Sequence, residues 1–328
     1  MRHLKLLATV ALAAALVACG VNPVTGKKEL QLISESQEIQ IGQQHYAPTR
    51  QSQGGDYVVL PELSVYVSGV GQKLAAVAER PLPYEFVVLN SSVPNAWALP
   101  GGKIAVNRGL LTTLEDEAEL AAVLGHEIVH AAARHGARAQ ERGMLLQAGM
   151  VAASIGVAMS DVDANLGNLM VAGAGVGAQL INVRYGREAE LESDLYGIRY
   201  LRQVGYDPVA AVSLQEKFLK LSEQDGRARS WLDGLFASHP PSAERVERNR
   251  RTAAELGTGG DLGAERYARA VAPLRAMQPA YDQHDQAIAA AQKKDSATAR
   301  RLAQSAAQAV RREGRFQQLL GALAMAEK

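Results

Sequence analysis

The pentapeptide His126-Glu127-Ile128-Val129-His130 constrains this 328-residue chain more than any other stretch. It lies in an apolar-periodic run from Asp116 to Arg138 that no proline interrupts. Ala121, Ala122, Val123, Leu124 and Ile128 in that run predict a helix with a buried side. On a helix, His126 and His130, four residues apart, project from one face and can chelate one metal ion. Glu127, beside the first histidine, can reach an activated water without binding the ion, which is where a general base belongs. A helix that carries two histidines incidentally is the plain alternative. Two histidines do not complete a zinc site, so the rest of the chain has to supply a third ligand.

Arg187 to Gly197 is the candidate segment. It reads as a helix with Glu190 and Asp194 on one face at i, i+4. Glu190 could bind the metal while Asp194 orients a ligand histidine through its free ring N–H. A charged, solvated helix would be served as well by Glu188 or Glu192.

The two segments together resemble zinc-peptidase family M48, which includes CAAX prenyl endopeptidases, the bacterial membrane protease HtpX and periplasmic BepA-like quality-control proteases. The first motif is H-E-x-x-H at residues 126–130. The second, of the type S-R-x-x-E-x-x-A-D-x-x-G, is matched by Gly186-Arg187-x-x-Glu190-x-x-Ser193-Asp194-x-x-Gly197, with glycine and serine replacing the usual serine and alanine. The resemblance covers Asn22 to Arg250. It implies an α+β, mostly helical, zincin-like metalloprotease domain with a small β-sheet beside the H-E-x-x-H helix. It also implies one Zn²⁺ per chain, held by His126, His130 and Glu190, with Glu127 as base and Asp194 as partner of a ligand histidine. Glu190 follows His130 by 190 − 130 = 60 residues, which excludes the metzincin arrangement, where a third histidine follows closely.

Upstream, Asn95 to Val106 predicts two short strands joined at Pro100-Gly101-Gly102. An exposed strand edge can hold an extended peptide through main-chain hydrogen bonds. Asn95, Ala96, Trp97, Ala98 and Leu99 are therefore candidate substrate-binding residues, with Lys103 to Val106 as the alternative edge. This stretch also resembles the family's substrate-side strand. Downstream, Ser238-His239-Pro240-Pro241 is similar to an S-x-H-P-P segment that the family carries near its active site. His239 is read as a catalytic-site residue that stabilises an oxyanion, or as a donor that swings onto the metal's open position and holds the enzyme latent. Fixing the turn before Pro240 is its plain reading. His135 lies one turn and one residue beyond His130 and is expected away from the chelating face, at the surface or in a second layer.

Met1 to Ala18 reads as a signal peptide: Arg2 and Lys5 precede an apolar run from Leu6 to Val17, too short for an ordinary membrane span. Leu16-Val17-Ala18-Cys19 looks like a bacterial lipobox, which makes Cys19 the lipidation site. Gly20, rather than aspartate, favours the outer membrane by resemblance to enteric lipoproteins, and the mature chain would face the periplasm. Cys19 is the only cysteine, which excludes an intramolecular disulfide. The formal net charge of +1 gives no electrostatic case for nucleic acid.

The expected domains are a signal peptide over 1–18, a zinc metallopeptidase over 19–256 and a helical extension over 257–328. Met144 to Met159 and Leu166 to Leu180 are expected as two helices packed closely on the core or as a flexible cover over the cleft, with a membrane-touching hairpin as a further reading. In the extension, helices are expected at Ala264–Met277, Ala280–Lys293, Ser296–Glu313 and Phe316–Lys328, paired in hairpins of the tetratricopeptide kind that could bind a protein partner. Together with the resemblance, these features lead to a lipid-anchored periplasmic zinc endopeptidase acting on misfolded or unassembled envelope proteins. A chaperone-like or scaffold lipoprotein with a structural or latent zinc site is the rival.

Overall fold

The structure, a computed structural model, describes residues 19–158, 185–223 and 234–326. The expected signal peptide and the Leu166–Leu180 segment lie outside the described residues. Strands β1 (Cys19–Val21) and β2 (Lys28–Leu30) pair antiparallel around a turn that carries Asn22-Pro23 and Thr25-Gly26. Ser34 caps helix α1 (Glu35–Ser52) in a capping box: its hydroxyl accepts from the Gln37 N–H, and the Gln37 side chain accepts from the Ser34 N–H. The helix runs on through Pro48, with Tyr46 and Thr49 buried. Helix α2 (Pro61–Ala75) starts on a proline and buries Leu63, Val67, Val70 and Leu74 at helical spacing.

Strands β3 (Glu85–Leu89), β4 (Ala96–Leu99) and β5 (Lys103–Asn107) form a three-stranded sheet of order β3-β5-β4. β5 runs parallel to β3 and antiparallel to β4. The β4–β5 turn needs its glycines: Gly101 and Gly102 have φ of +77° and +84°, and a Cβ on Gly101 would lie 2.7 Å from the Ile39 backbone.

The short helix α3 (Arg108–Leu111) leads into α4 (Glu117–Ala132), which carries the two histidines and is buried along its whole length. The Asp116 side chain caps it by accepting from the Glu119 N–H at 2.8 Å. The continuous helix expected to Arg138 is interrupted. Arg134 takes φ +62°, and a new helix, α5 (His135–Ala158), begins at once. Tertiary bonds hold this break. Arg134 bonds Glu38 and the Ile33 carbonyl, Arg80 donates to the Ala131 carbonyl at 3.3 Å, and Asn22 donates to the Ala133 carbonyl at 3.1 Å. The last two donors satisfy carbonyls that a helix end leaves open. Along α5, Met144, Leu145, Leu146 and Met150 are exposed, so this part of the segment is helical but not packed closely on the core.

Helix α6 (Arg187–Gln203) crosses α4 where two glycines meet; a Cβ on Gly197 would sit 3.1 Å from the His126 nitrogen. Helix α7 (Val209–Ser222), a helical stretch over 234–238 and α8 (Ala243–Leu256) complete the surroundings of the site. The remaining helices are α9 (Ala264–Gln292), α10 (Ser296–Ala309) and α11 (Gly314–Ala326), and consecutive members pack on one another. The break expected at Pro279 is absent: one helix of 29 residues contains both Pro273 and Pro279. Val271, Leu274, Ala280 and Tyr281 are buried on both sides of the prolines, and that packing outweighs the lost backbone bonds. Tyr267, Leu274, Tyr281 and Phe316 belong to the same apolar core as Leu63, Ile104 and Leu120. Among the described residues no helix is long and apolar enough to cross a membrane.

Candidate metal centre

The first histidine motif and the second motif meet because α4 and α6 touch at Gly125 and Gly197. His126 Nε2 and His130 Nε2 face each other at 3.0 Å. The two oxygens of Glu190 lie 3.5 Å from the first and 3.4 Å from the second. His239, arriving just after the 234–238 helical stretch, brings Nδ1 to 3.3 Å from His126 Nε2 and 3.1 Å from Glu190 Oε1. One donor atom from each of these four buried residues lies within 4.8 Å of the others. The sequence brought together three of the four as ligands and placed His239 beside them.

The donor set fits a cation. His126 Nδ1 is 2.9 Å from Asp194 Oδ1, so the ring hydrogen belongs there and the lone pair of Nε2 points into the cluster. The His130 Nε2 lone pair and a carboxylate point to the same place. Two imidazole nitrogens and a carboxylate oxygen are the ligand types of a zinc site, and the His239 imidazole is a fourth donor beside them.

Charge is arranged around this point with opposite effects on neighbouring carboxylates. Burial pushes the Glu127 carboxyl up, against the pull of His239 and His126. Its Oε2 has no hydrogen-bond partner, and its Oε1 lies 3.5 Å from His239 Nε2. Burial also opposes ionisation of Glu190, but His239 and His126 hold that carboxyl well below the usual range. Asp194 is likewise held low despite burial, chiefly by Arg245. For His126, burial works against the proton, yet Glu190 and Asp194 outweigh it and push the imidazole up to about 9. Burial takes His130 well below its ordinary value.

Of three neighbours of the donors, Arg245 and Tyr185 were not legible as site residues, and His135 was placed only as a surface or second-layer residue. Arg245 grips Asp194 with Nε and Nη2, both at 2.7 Å, and reaches Glu190 Oε2 with Nη1 at 2.9 Å. In the α8 sequence, Glu244–Arg248 and Glu247–Arg251 at i, i+4 predict a solvated helix face. That holds for Glu244–Arg248 at 3.1 Å and Glu247–Arg251 at 3.8 Å, but Arg245 falls on the buried side with Val246 and Asn249. That phase was the available signal. Tyr185 stacks on the His130 ring, centroids 3.9 Å apart. His135 takes the second of the two places expected for it: it is buried in a layer behind His130, with Nδ1 2.8 Å from His130 Nδ1.

Of the two strands considered for substrate, β4 is at the sheet edge and β5 is central, which removes Lys103 to Val106 as an edge. The side chains of Ala96, Trp97, Ala98 and Leu99 are all buried, Trp97 edge-on against Tyr46, and Asn95 is half-buried. Ala96 lines a cleft together with His126, Glu127, Leu214, Phe218 and Leu235.

Comparison with known proteins gives three kinds of relative. The model of Peptidase family M48 matches residues 61–253. The Beta-barrel assembly-enhancing protease of Escherichia coli K12 is 29% identical over 239 residues, covering 71% of this chain and 47% of that protein. The Mitochondrial metalloendopeptidase OMA1 of Schizosaccharomyces pombe is 31% identical over 231 residues, 69% of this chain and 64% of its own. Metalloprotease LoiP of Escherichia coli K12 is 34% identical over 170 residues, 51% of this chain and 62% of LoiP. The chain thus spans about half the length of the first of these relatives, 47%.

Proposed function

The chain belongs to peptidase family M48, and on that premise we propose that it is a zinc metalloendopeptidase that cleaves unfolded or unassembled polypeptides. The observation that carries this reading is the convergence of His126, His130 and Glu190 beside a carboxylate, Glu127, that keeps one oxygen free. Zinc, when bound, supplies Lewis-acid polarisation of the scissile carbonyl and activation of water. His126, His130 and Glu190 would hold it, and Asp194, clamped by Arg245, keeps the His126 ring in its ligating tautomer. Glu127 takes the proton of the attacking water on its free oxygen and returns it to the leaving amine. The β4 edge from Asn95 to Leu99 aligns the substrate through its main chain, and the side chains of Ala96 to Leu99 are buried. A substrate side chain next to the scissile bond enters the apolar cleft between α4 and α7.

His239 already stands among the metal donors, where it closes the site; displaced, its ring can donate to the developing oxyanion. The peptidase unit spans 19–256 and the helical extension 257–328, where a protein partner would dock. Cys19 carries a lipid that anchors the chain to the outer membrane, facing the periplasm. The apolar run from Leu6 to Val17 just before Cys19 supports this placement, and the similarity to the Beta-barrel assembly-enhancing protease supports a role in envelope protein quality control.

Cleavage of casein by the zinc-loaded chain tests the reading. Cleavage is expected from the wild type or, where closure by His239 holds the wild type shut, from His239→Ala, and is expected to fall by orders of magnitude in Glu127→Gln. Zinc binding without cleavage by either of the first two would favour the scaffold reading instead.

A further inference from the structure

We propose that His135 and Glu192 form a relay that positions the second metal ligand, His130, by fixing which of its ring nitrogens carries the hydrogen. The proposal rests on the zinc-peptidase reading of the site and assigns to two further residues a task that Asp194 performs for His126.

Ligation through His130 Nε2 fixes the direction of each bond. His130 turns Nε2 into the donor cluster, so its hydrogen must reside on Nδ1, and that N–H needs an acceptor. The atom facing it is His135 Nδ1, at 2.8 Å. His135 can accept there only if its own hydrogen is on Nε2. That nitrogen is 3.1 Å from Glu192 Oε2. The opposite tautomer of His135 would set a bare ring nitrogen against a carboxylate, two acceptors face to face. Besides His135, Glu192 faces two cations: Lys27 Nζ lies 3.4 Å from its Oε1 and Arg138 Nη1 3.7 Å from its Oε2. The chain Glu192, His135, His130 therefore has one consistent set of hydrogens, and that set leaves a lone pair on His130 Nε2. Ser193 Oγ, 3.4 Å from His135 Nδ1, is the only other side-chain contact to that nitrogen among the described residues.

The backbone is shaped to make this contact. On one continuous helix a residue five positions after His130 would point about 140° away from it. The left-handed Arg134 ends α4 and restarts the chain as α5 with His135 as its first residue, which swings the ring back onto His130. A non-glycine residue in that conformation is uncommon.

The test measures zinc affinity of the full chain by chelator competition, beside far-UV circular dichroism of the metal-free forms. His135→Ala is expected to bind zinc roughly 10–100-fold more weakly, the usual cost of losing such a partner. His135→Asn places its carbonyl oxygen where Nδ1 accepts and restores most of the affinity. His135→Gln, which reaches only the Nε2 position, does not. Glu192→Gln weakens binding less than His135→Ala. The Asn–Gln contrast decides the matter even where the alanine variant fails to fold. Equal zinc affinity in the Asn and Gln variants, or wild-type affinity in a folded His135→Ala, overturns the relay. Failure of the wild type itself to bind zinc would instead overturn the peptidase reading.

Discussion

Helix α4 carries glutamates in two settings. At its N-terminal end, Glu117 accepts from Tyr66 at 2.6 Å, Tyr206 at 2.8 Å and Arg266 at 2.9 Å. Glu119 accepts from Ser213 at 3.1 Å and Lys217 at 2.8 Å, and from the Glu115 N–H. Ten residues on from Glu117, Glu127 has an oxygen with no partner. All three are buried on the same helix. Burial raises the proton affinity of Glu117 and Glu127 alike, but Arg266 and two tyrosines bring Glu117 below its ordinary value of 4.5 while Glu127 stays above it. The first setting uses carboxylates as struts between helices. The second keeps a carboxylate short of partners, which costs stability and leaves it free to take a proton.

The contrast breaks most readily at Glu127. Glu127→Gln is expected to lower peptide hydrolysis by roughly 10²–10⁴-fold, the range of a lost general base, with an unfolding temperature equal to or above that of the wild type. A parallel fall in unfolding temperature would mean that Glu127 is a strut after all.

Next in size is Arg245→Leu, which leaves Asp194 and Glu190 buried without their guanidinium. About 3–5 kcal/mol of stability should be lost in denaturant unfolding of the metal-free chain, because one partner of a buried ion pair is removed. Wild-type stability in this variant would show that α8 is not a closing element of the site.

The smallest effect belongs to Glu117→Gln, about 1–3 kcal/mol in stability, with hydrolysis unchanged. Its pH dependence sharpens the comparison. The Glu117 carboxyl is lower in the folded chain than its ordinary 4.5, so the stability it adds is complete above 4.5 and is lost as pH falls through the folded value. Unfolding curves of wild type and variant should therefore converge in acid; curves that stay parallel down the acid limb would count against a charged strut.

What could be read from the chain follows the same division. His126 with His130, and Glu190 with Asp194, share helix faces by their spacing, while the resemblance of the two motifs to the family, not spacing, singled out Glu190 over Glu188 and Glu192 and gave Glu127 its role. Arg245, His135 and Glu192 take their meaning from contacts between elements far apart in sequence. Arg245 closes the site only because α8 lies on α6, and His135 reaches His130 only because Arg134 breaks the helix. Proline at 279 predicted an end to α9, and the burial of Ala280 and Tyr281 overrode it. The β4–β5 hairpin was legible from Pro100-Gly101-Gly102, whereas the edge position of β4 depended on β3 pairing with β5 across the sheet.

The bond from Asn22 to the Ala133 carbonyl sets a length scale for the whole molecule. Asn22 is the third residue after Cys19, and an extended chain spans about 3.3–3.6 Å per residue, so no more than about 11 Å separates them along the chain. Ala133 is in turn the third residue after His130. A lipid on Cys19 would therefore act as a short leash, holding the catalytic cleft within a few nanometres of the bilayer surface. Substrates would then be met at the membrane, and those that never approach it would be out of reach.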